Sequence, residues 1–453
     1  MNLPNYFFAD LPSGAVLSNS MITEACQTLK RNRQQYLQRR PTASLIRVII
    51  ETAENWLDPN YSFRRFALER GPAETGFSEA TLATGLDGFF KQLTADNLDA
   101  LITQELGHPQ RLDVPVAAKE ERLADRAALA VGPELIVHFA AGAIPNPAFT
   151  SIVLGLLTRS AQFMKCATGS AFLPRLFAHS LYEAEPKLGA CLEIAEWSGG
   201  NEVLEAALFA ETNCVTATGA DETLESIRSR LPSKVRFLGY GHRVSFGYIT
   251  QEMLSGHQVK RLAADAARDV AAWNQLGCLS PHVFYVERGG RIPGKAFAEM
   301  LANELEKLEL EEPRGPVPPE SAAAIASRRA LYEIRAAHIP DTHHWCSPDS
   351  TAWTVVFEAD PRFQHSCLNR FIYVKEVSSL TEILRGADAV YGQISTVGLA
   401  APMNRAPEIV TELARWGVTR VCPIGQMQNP PLTWRHDGRP ALGDLVTWID
   451  WEL

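Results

Sequence analysis

The chain has 453 residues, of which 46% are hydrophobic and 21% charged, so it is long enough for two folded domains. Its net charge is −9 and it has no basic tract, which argues against nucleic acid or an anionic membrane as the main partner. The N-terminus lacks the features of a signal peptide, and the most apolar window, 135–157, is broken by His138 and by prolines. We therefore expect a cytoplasmic protein without a membrane span.

Residues 1–125 are predicted to be mostly helical, and from residue 134 the pattern changes. Short apolar runs then alternate with helix-like stretches of about ten residues, which predicts βαβ units and a parallel, doubly wound sheet. No GxGxxG fingerprint accompanies them. The predicted strands are 134–139, 161–165, 190–195, 213–217 and 235–239, and the predicted helices are 148–158, 170–183, 201–211 and 221–230.

The second half continues the α/β pattern less regularly, and a proline-rich stretch at 311–319 predicts a stiff connector. The chain closes with an aromatic tail that contains Trp448 and Trp451. Helices are predicted at 258–274, 295–309, 320–337, 379–386 and 406–416, and strands at 282–287, 352–358, 370–376, 389–396 and 420–424.

Cys278 stands on a short loop between the helix predicted at 258–274 and the strand predicted at 282–287. Gly277 precedes it, and Pro281 keeps the loop out of helix. A thiol presented in this way is typical of a covalent nucleophile, whereas the alternative is a small buried apolar cysteine. The eight cysteines show no short paired spacing, so the sequence predicts neither a disulfide framework nor a CxxC metal site.

From about residue 130 onward the chain resembles the LuxC-type acyl-CoA reductases of bacterial bioluminescence, a branch of the aldehyde dehydrogenase superfamily. Several short segments in a fixed order carry the resemblance. They are 138–145 (HFAAGAIP), 156–165, 197–201 (WSGGN), 217–222 (ATGADE), 241–247 (GHRVSFG), 274–281 (NQLGCLSP), 393–398 with 417–425, and 435–438 (RHDG).

The resemblance implies an aldehyde dehydrogenase-like α/β fold with a cofactor domain and a catalytic domain. On that basis, 1–125 is the helical N-terminal part of the cofactor domain, and 126–250 is its dinucleotide-binding core. The catalytic domain spans 251–420, and 421–453 returns to the cofactor domain. The implied reaction is the NADPH-dependent reduction of a fatty acyl thioester to an aldehyde through an acyl-Cys278 intermediate.

The resemblance also implies cofactor-binding residues at the ends of the predicted strands. Lys165 is expected to hold the adenosine ribose, although a surface lysine is the plain alternative. Thr168 stands where a Glu would repel the 2′-phosphate, so NADPH is expected and NADH is the alternative. Gly199 and Gly200 are expected to allow close backbone approach to the ribose, unless they form an ordinary turn.

Gly219 and Ala220 are expected to offer backbone N–H groups to the pyrophosphate, because they open the helix predicted at 221–230. His242 is the candidate proton donor or acceptor, or alternatively orients its loop. The segment 226–251 contains no Asp or Glu, so it lacks a base for hydrolytic water.

Most members of the family carry an oxyanion-stabilising Asn at the position of Ala143, and Asn146 is the candidate replacement. His338, His343, His344 and Cys346 form the one metal-like group of the sequence, without a second tight pair, so no metal is predicted.

Two functional alternatives stay open, an aldehyde dehydrogenase running oxidatively and a non-catalytic subunit that holds an acyl group. Acyl-CoA is the expected substrate, with an acyl-carrier protein or an acyl-transferring ligase as alternative donors. The resemblance favours a homo-oligomer.

Overall fold

A computed structural model describes residues 3–12, 14–142, 144–256 and 258–452 of the chain. It divides into two compact units. Unit 1 comprises the described residues of Met1–Thr75, Leu86–Gly241 and Pro431–Leu453, and unit 2 comprises those of Gly76–Gly85 and His242–Pro430. The units therefore part after residues 241 and 430, where the sequence analysis placed boundaries after residues 250 and 420. The earlier first boundary follows from strand pairing, because the strand that begins at Val244 belongs to the sheet of unit 2.

Sixteen α-helices are found among the described residues, and several carry the end signals that their sequences predict. Ser18 and Thr94 accept backbone N–H groups at two helix starts, and Gly107, at φ 75°, closes the second of these helices. The helices are α1 (Asn19–Asn32), α2 (Thr42–Leu57), α3 (Ser62–Thr75), α4 (Glu79–Phe90), α5 (Ala95–Leu106), α6 (Lys119–Leu123), α7 (Asn146–Leu157), α8 (Phe172–Ala184), α9 (Pro186–Gly189), α10 (Glu202–Glu211), α11 (Asp221–Arg230), α12 (Gln258–Ala271), α13 (Gly294–Glu311), α14 (Pro319–His338), α15 (Leu380–Gly386) and α16 (Ala406–Arg415).

Fourteen strands in the described part of the chain form three sheets. The strands are β1 (Arg126–Val131), β2 (Leu135–Ala140), β3 (Ala161–Cys166), β4 (Leu192–Glu196), β5 (Cys214–Thr218), β6 (Arg236–Tyr240), β7 (Val244–Ile249), β8 (Pro281–Glu287), β9 (Thr342–Cys346), β10 (Thr354–Glu358), β11 (Phe371–Val377), β12 (Ile394–Ala400), β13 (Arg420–Pro423) and β14 (Thr447–Glu452).

Unit 1 is built on a five-stranded parallel sheet in the order β4-β3-β2-β5-β6. This order confirms the doubly wound sheet predicted from the alternation of apolar runs and helices. Helices α1 and α10 cover one face through Ile22, Leu29 and Leu208, which pack on β2 and β3. On α7 and α8, the rings of Phe149 and Phe177 pack against each other with their centres 4.8 Å apart and their planes tilted by 47°. The chain order reverses between β2 and β5, and such a switch point opens a crevice at the carboxyl ends of the strands.

Unit 1 also contains an antiparallel ribbon of β1 and β14. The sequence analysis had left the end of the chain as an aromatic tail. All six residues of β14 are exposed, so the burial alternation by which a strand is recognised is missing.

Unit 2 holds a seven-stranded sheet in the order β13-β12-β7-β8-β11-β10-β9, parallel except for the β9–β10 pair. Helices α12 and α13 cover one face and α14, α15 and α16 the other. Two strands of this sheet escaped prediction. β7 lies in the segment 226–251, which the sequence analysis considered only for its lack of acids, although all six residues of β7 are buried. β9 is a polar edge strand. No helix in the described ranges is long and apolar enough to cross a membrane.

A buried contact between α7 and β3 yields a stability prediction. A Cβ at Gly155 would collide with the Gln162 side chain, which is fully buried and hydrogen-bonded to His138 and to the carbonyl of Ile152. We expect Gly155→Ala to lower the free energy of unfolding by about 1–3 kcal/mol, because overpacking outweighs the gain in helix propensity. Denaturant unfolding measures the change.

Gly199→Ala is the control in the same unit, because a Cβ there meets nothing within 4 Å. Equal stability of the two variants would contradict the packing described for α7 and β3.

Candidate active site

At the carboxyl edge of the unit 1 sheet, Lys165 lies near the end of β3 and is 5% exposed. Its ammonium group sits 6.0 Å from the ring centre of Phe139 and 5.8 Å from that of Trp197. Burial lowers the pKa of Lys165, and the carboxylates of Glu205 and Glu196 oppose this shift. The side chain is therefore not a surface lysine, but a cation held at the edge where parallel sheets bind nucleotides.

The loop after β3 carries Thr168, which is exposed, and its hydroxyl lies 3.3 Å from that of Ser198. The carboxylate of Glu196, the last residue of β4, accepts the N–H groups of Gly169 at 3.0 Å and Ala171 at 3.2 Å. The sequence analysis missed Glu196. An acidic residue at the end of the strand following Lys165 was the available signal, because β3 and β4 are neighbours and Cys166 pairs with Glu196.

Gly199 and Gly200 follow β4 on an exposed turn, and a Cβ at either position would meet nothing within 4 Å. Gly200 adopts φ 80°, which favours glycine. Beside them the indole Nε1 of Trp197 is buried without a hydrogen-bond partner among the described residues. Open glycine backbone next to a buried cation and an unsatisfied donor fits the ribose and phosphate groups of a dinucleotide.

Gly219 and Ala220 connect β5 to α11, as expected. The N–H of Gly219 donates to the carbonyl of Tyr240 at 3.2 Å, so it serves the sheet. Ala220 precedes α11 in an extended conformation and makes no side-chain cap. The N–H groups of Ala220 and of the first turn of α11 are therefore the donors here that suit a pyrophosphate.

A small cavity opens in unit 1 where β2 passes into α7, bordered by Pro145, Ser170 and Phe172. His138 lies at its base, with Nδ1 2.7 Å from Thr216 Oγ1 and Nε2 3.0 Å from Gln162 Oε1. Burial lowers the pKa of His138 to about 4, against the opposing hydrogen bond to Gln162. His138 is thus a neutral, structural histidine near physiological pH.

Asn146 is the first residue of α7 and lies between two prolines. Its Oδ1 is buried and accepts no hydrogen bond from any described residue. An amide whose oxygen is unsatisfied in the protein is available to a ligand. Ala143, for which Asn146 is the candidate replacement, lies outside the described residues.

In unit 2, Cys278 is half-buried on the loop between α12 and β8. Three residues after α12 adopt left-handed conformations, Trp273 at φ 50°, Asn274 at φ 52° and Gln275 at φ 64°. The buried Gln275 amide donates to the carbonyls of Pro281 at 2.7 Å and Phe371 at 2.9 Å, and its oxygen accepts the N–H of Phe371 at 2.9 Å. These bonds hold the sharp turn that precedes the thiol.

The backbone of the Cys278 loop is held on two further sides. Ser245 donates to the carbonyl of Cys278 at 2.7 Å, and its hydroxyl accepts the N–H of Thr396 at 3.1 Å. Gln428 donates to the hydroxyl of Ser280 at 2.7 Å. Ser245, Thr396 and Ser280 are completely buried. The loop is therefore fixed from β7, from β12 and from the segment after β13.

Burial makes several other cysteines poor nucleophiles. It raises the pKa of four buried thiols to about 12 and that of Cys422 to about 11, and it also raises the pKa of Cys367. A thiol with so high a pKa carries almost no thiolate at neutral pH. The four thiols at about 12 are Cys26, Cys166, Cys191 and Cys214.

His242 precedes β7 and is exposed. Its ring centre lies 6.3 Å from that of His365, which in turn lies 5.6 Å from that of His282 at the start of β8. Burial lowers the pKa of His282 to about 4, and the charges of His365 and His242 act in the same direction. The sequence analysis missed His282 and His365, although His282 follows the Cys278 loop directly.

The structure places the predicted site residues in two groups. Unit 1 brings one set to the carboxyl edge of its sheet, and unit 2 holds Cys278 and His242. No group of residues in the described ranges could hold a metal ion. The unit 1 set consists of Asn146, Lys165, Thr168, Gly199, Gly200, Gly219 and Ala220.

The fold is similar to that of solved dehydrogenase structures. A bifunctional proline utilization A (PutA) protein superposes with a TM-score of 0.73 at 16% identity over 99% of this chain and 46% of its own length. An NAD-dependent benzaldehyde dehydrogenase from Corynebacterium glutamicum superposes with a TM-score of 0.69 at 14% identity over 97% of this chain and 90% of its own. These likenesses show an aldehyde dehydrogenase-like α/β fold.

Within that fold, residues 37–448 match the acyl-CoA reductase (LuxC) family, and the chain belongs to it. A long-chain acyl-protein thioester reductase from Aliivibrio fischeri is 24% identical over 325 residues, which are 70% of this chain. The matched region spans 63% of the length of that relative. The family and fold predicted from the short motifs are thereby confirmed.

Proposed function

We propose that this protein reduces a fatty acyl thioester to the aldehyde with NADPH, through a covalent intermediate on Cys278. The observation that carries the proposal is the Cys278 loop, in which a half-buried thiol follows a left-handed turn and its backbone is fixed by Gln275, Ser245 and Gln428. Membership of the acyl-CoA reductase family and the thioester reductase activity named for the Aliivibrio fischeri relative support the reaction type.

The Cys278 thiolate attacks the thioester carbonyl and forms a new C–S bond. The bond to the departing thiolate, CoA in the simplest case, then breaks and leaves an acyl-cysteine. NADPH, when bound, would supply the hydride that brings the acyl carbon to the aldehyde level. Cys278 leaves as thiolate when the aldehyde is released, so the overall consumption is one hydride and one proton per thioester.

His242 is the proposed proton carrier, because it is exposed in unit 2 and belongs to the cluster with His365 and His282. It protonates the departing thiolate of the substrate. The segment 226–251 around His242 contains no Asp or Glu that could activate a hydrolytic water. This absence supports reduction of the acyl-enzyme over the oxidative alternative.

The carboxyl edge of unit 1 is the proposed dinucleotide site. Lys165 would hold the ribose, Gly199 and Gly200 would allow its close approach, and the first turn of α11 after Gly219 and Ala220 would face the pyrophosphate. Thr168 would donate to a 2′-phosphate. Glu196 stands close by, but its carboxylate is partly neutralised by the N–H groups of Gly169 and Ala171.

Asn146 is proposed to stabilise the oxyanion together with the backbone N–H of Cys278. The side-chain N–H group of Asn146 would donate to the oxyanion, and its buried Oδ1 accepts no hydrogen bond from the described residues. The acyl-carrier protein, the acyl-transferring ligase and the homo-oligomer stay predictions, as does the acyl-holding alternative.

Replacing the nucleophile tests the proposal directly. Cys278→Ser should abolish both acyl-enzyme formation and aldehyde production while NADPH binding stays within a few-fold, because the cofactor residues lie in unit 1. Intact-protein mass spectrometry after incubation with acyl-CoA detects the adduct, and fluorescence titration measures NADPH binding.

Cys367→Ser, the replacement of another half-buried thiol of unit 2, is the matched control and should keep both activities. An acyl adduct that persists on Cys278→Ser would assign the nucleophile to another cysteine.

Cofactor preference tests the reading of the loop after β3. We expect the wild type to prefer NADPH or at least to accept it. Thr168→Glu should weaken NADPH binding by at least about tenfold, because a second carboxylate beside Glu196 would repel the 2′-phosphate. The same variant should have little effect on NADH binding. Equilibrium titration with both cofactors measures this. The control, Thr168→Ser, keeps the hydroxyl and should bind both cofactors as the wild type does. If the wild type prefers NADH by more than about tenfold in kcat/KM, the assignment of Thr168 to the 2′-phosphate is contradicted.

The oxyanion role predicts a separation of kcat from KM. Asn146→Ala should lower kcat by about 10²-fold with little change in KM, because the hydrogen bond forms mainly in the transition state. Installing the family's residue by Ala143→Asn should leave the wild type nearly unchanged and rescue Asn146→Ala. A silent Asn146→Ala combined with strong activation by Ala143→Asn would favour the acyl-holding alternative.

A further inference from the structure

Arg420, the first residue of β13, is linked to Cys278 through two other side chains. The guanidinium is 8% exposed and donates from Nη1 to the hydroxyl of Thr396 at 3.3 Å. The N–H of Thr396 donates to the Ser245 hydroxyl, and that hydroxyl donates to the carbonyl of Cys278. Three hydrogen bonds thus connect the buried guanidinium of Arg420 to the backbone carbonyl of Cys278.

A second link runs from Arg420 through the turn after β13. Its guanidinium donates to the carbonyls of Met427 at 2.7 Å and Gln426 at 2.8 Å. From α12, the Asp269 carboxylate accepts the N–H of Met427 at 3.0 Å and that of a neighbouring glycine of the turn. Gln428, the next residue, reaches the Cys278 loop at Ser280. Arg420 and Asp269 therefore fix the same turn, one by its carbonyls and the other by its N–H groups.

The electrostatic surroundings of Arg420 include the thiol itself. Burial lowers the pKa of Arg420, and the negative forms of Cys422, Asp269 and Cys278 oppose that shift. Burial likewise raises the pKa of Asp269 to about 7, against its two backbone hydrogen bonds and the charge of Arg420, while Asp265 adds to the increase. Since the interaction is mutual, the charge of Arg420 favours the thiolate of Cys278.

We propose that Arg420 is a positioning residue that stabilises the Cys278 thiolate and fixes the loop that carries it. This inference deepens the proposed function, because it rests on Cys278 being the nucleophile. It assigns the activation of the thiol to a permanent cation, since a guanidinium stays protonated throughout the working pH range. His242, the proposed proton carrier, is then left to move protons with the substrate.

The test is the pH dependence of Cys278 alkylation by iodoacetamide, read for the Cys278 peptide alone by mass spectrometry. The wild type should titrate below the usual thiol pKa of about 8.5. Arg420→Gln should raise the midpoint by about one unit and slow alkylation at pH 7 by about tenfold. Arg420→Lys keeps a charge and should raise it less. The measurement needs neither NADPH nor acyl-CoA, so its failure is distinct from failure of the proposed reductase activity.

Two control variants distinguish the effect of the Arg420 charge on the Cys278 thiolate from the structural support that Arg420 gives to the loop. Asp269→Asn removes the opposing charge and should lower the Cys278 midpoint, the opposite direction to Arg420→Gln. Gln428→Ala loosens the loop without changing charge and should leave the midpoint unchanged. The proposal would be overturned if the Cys278 midpoint in Arg420→Gln were unchanged. It would also be overturned if Gln428→Ala raised the midpoint as much as Arg420→Gln does. If Arg420→Gln does not fold, Asp269→Asn decides, and an unchanged or raised midpoint there would overturn it.

Discussion

The geometry of the candidate nucleophile depends on one buried amide, the side chain of Gln275. Three consecutive non-glycine residues, Trp273 to Gln275, adopt left-handed conformations, and each costs roughly 1–2 kcal/mol relative to the right-handed region. The Gln275 amide offsets this by making three buried hydrogen bonds to the backbones of Pro281 and Phe371. Breaking any one of these bonds would leave a buried polar group unsatisfied, at a cost of about 1–3 kcal/mol. Each of the three bonds therefore stabilises the turn.

The partner segment of this turn has the same unusual backbone. Leu368, Asn369 and Arg370 are also left-handed, and the N–H of Asn369 donates to the carbonyl of Asn274 at 3.0 Å. The Arg370 guanidinium is completely buried and binds Glu309 at 2.9 Å. Strained backbone of this kind persists only where its surroundings over-determine it, and it concentrates at functional sites. The two segments brace each other beside Cys278.

Unit 1 has no glycine-rich fingerprint at its proposed dinucleotide site. Its strand order brings the ends of β2, β3, β4 and β5 to one edge, where backbone approach is open at Gly199 and Gly200. A buried lysine supplies the positive charge that a helix N-terminus alone supplies elsewhere. The adjacent Glu196 accepts the N–H groups of Gly169 and Ala171 and so supports the loop that carries Thr168.

The sequence by itself determined the parallel sheet of unit 1, the family and the position of Cys278 between a helix and a strand. Apolar runs alternating with helices are local signals, and a thiol beside Gly277 and before Pro281 is visible without any tertiary contact. Strands β1, β7, β9 and β14 were not predicted. β1 and β14 form a separate ribbon and β9 is a polar edge strand, while β7 lies in the segment 226–251 that was considered only for its lack of acids. Only the tertiary structure brought Glu196 to the Thr168 loop, His365 to His282 and Arg420 to the Cys278 network. These contacts join residues that are far apart in the sequence. The order of the strands in each sheet determines which of these residues become neighbours, and no local sequence pattern encodes that order.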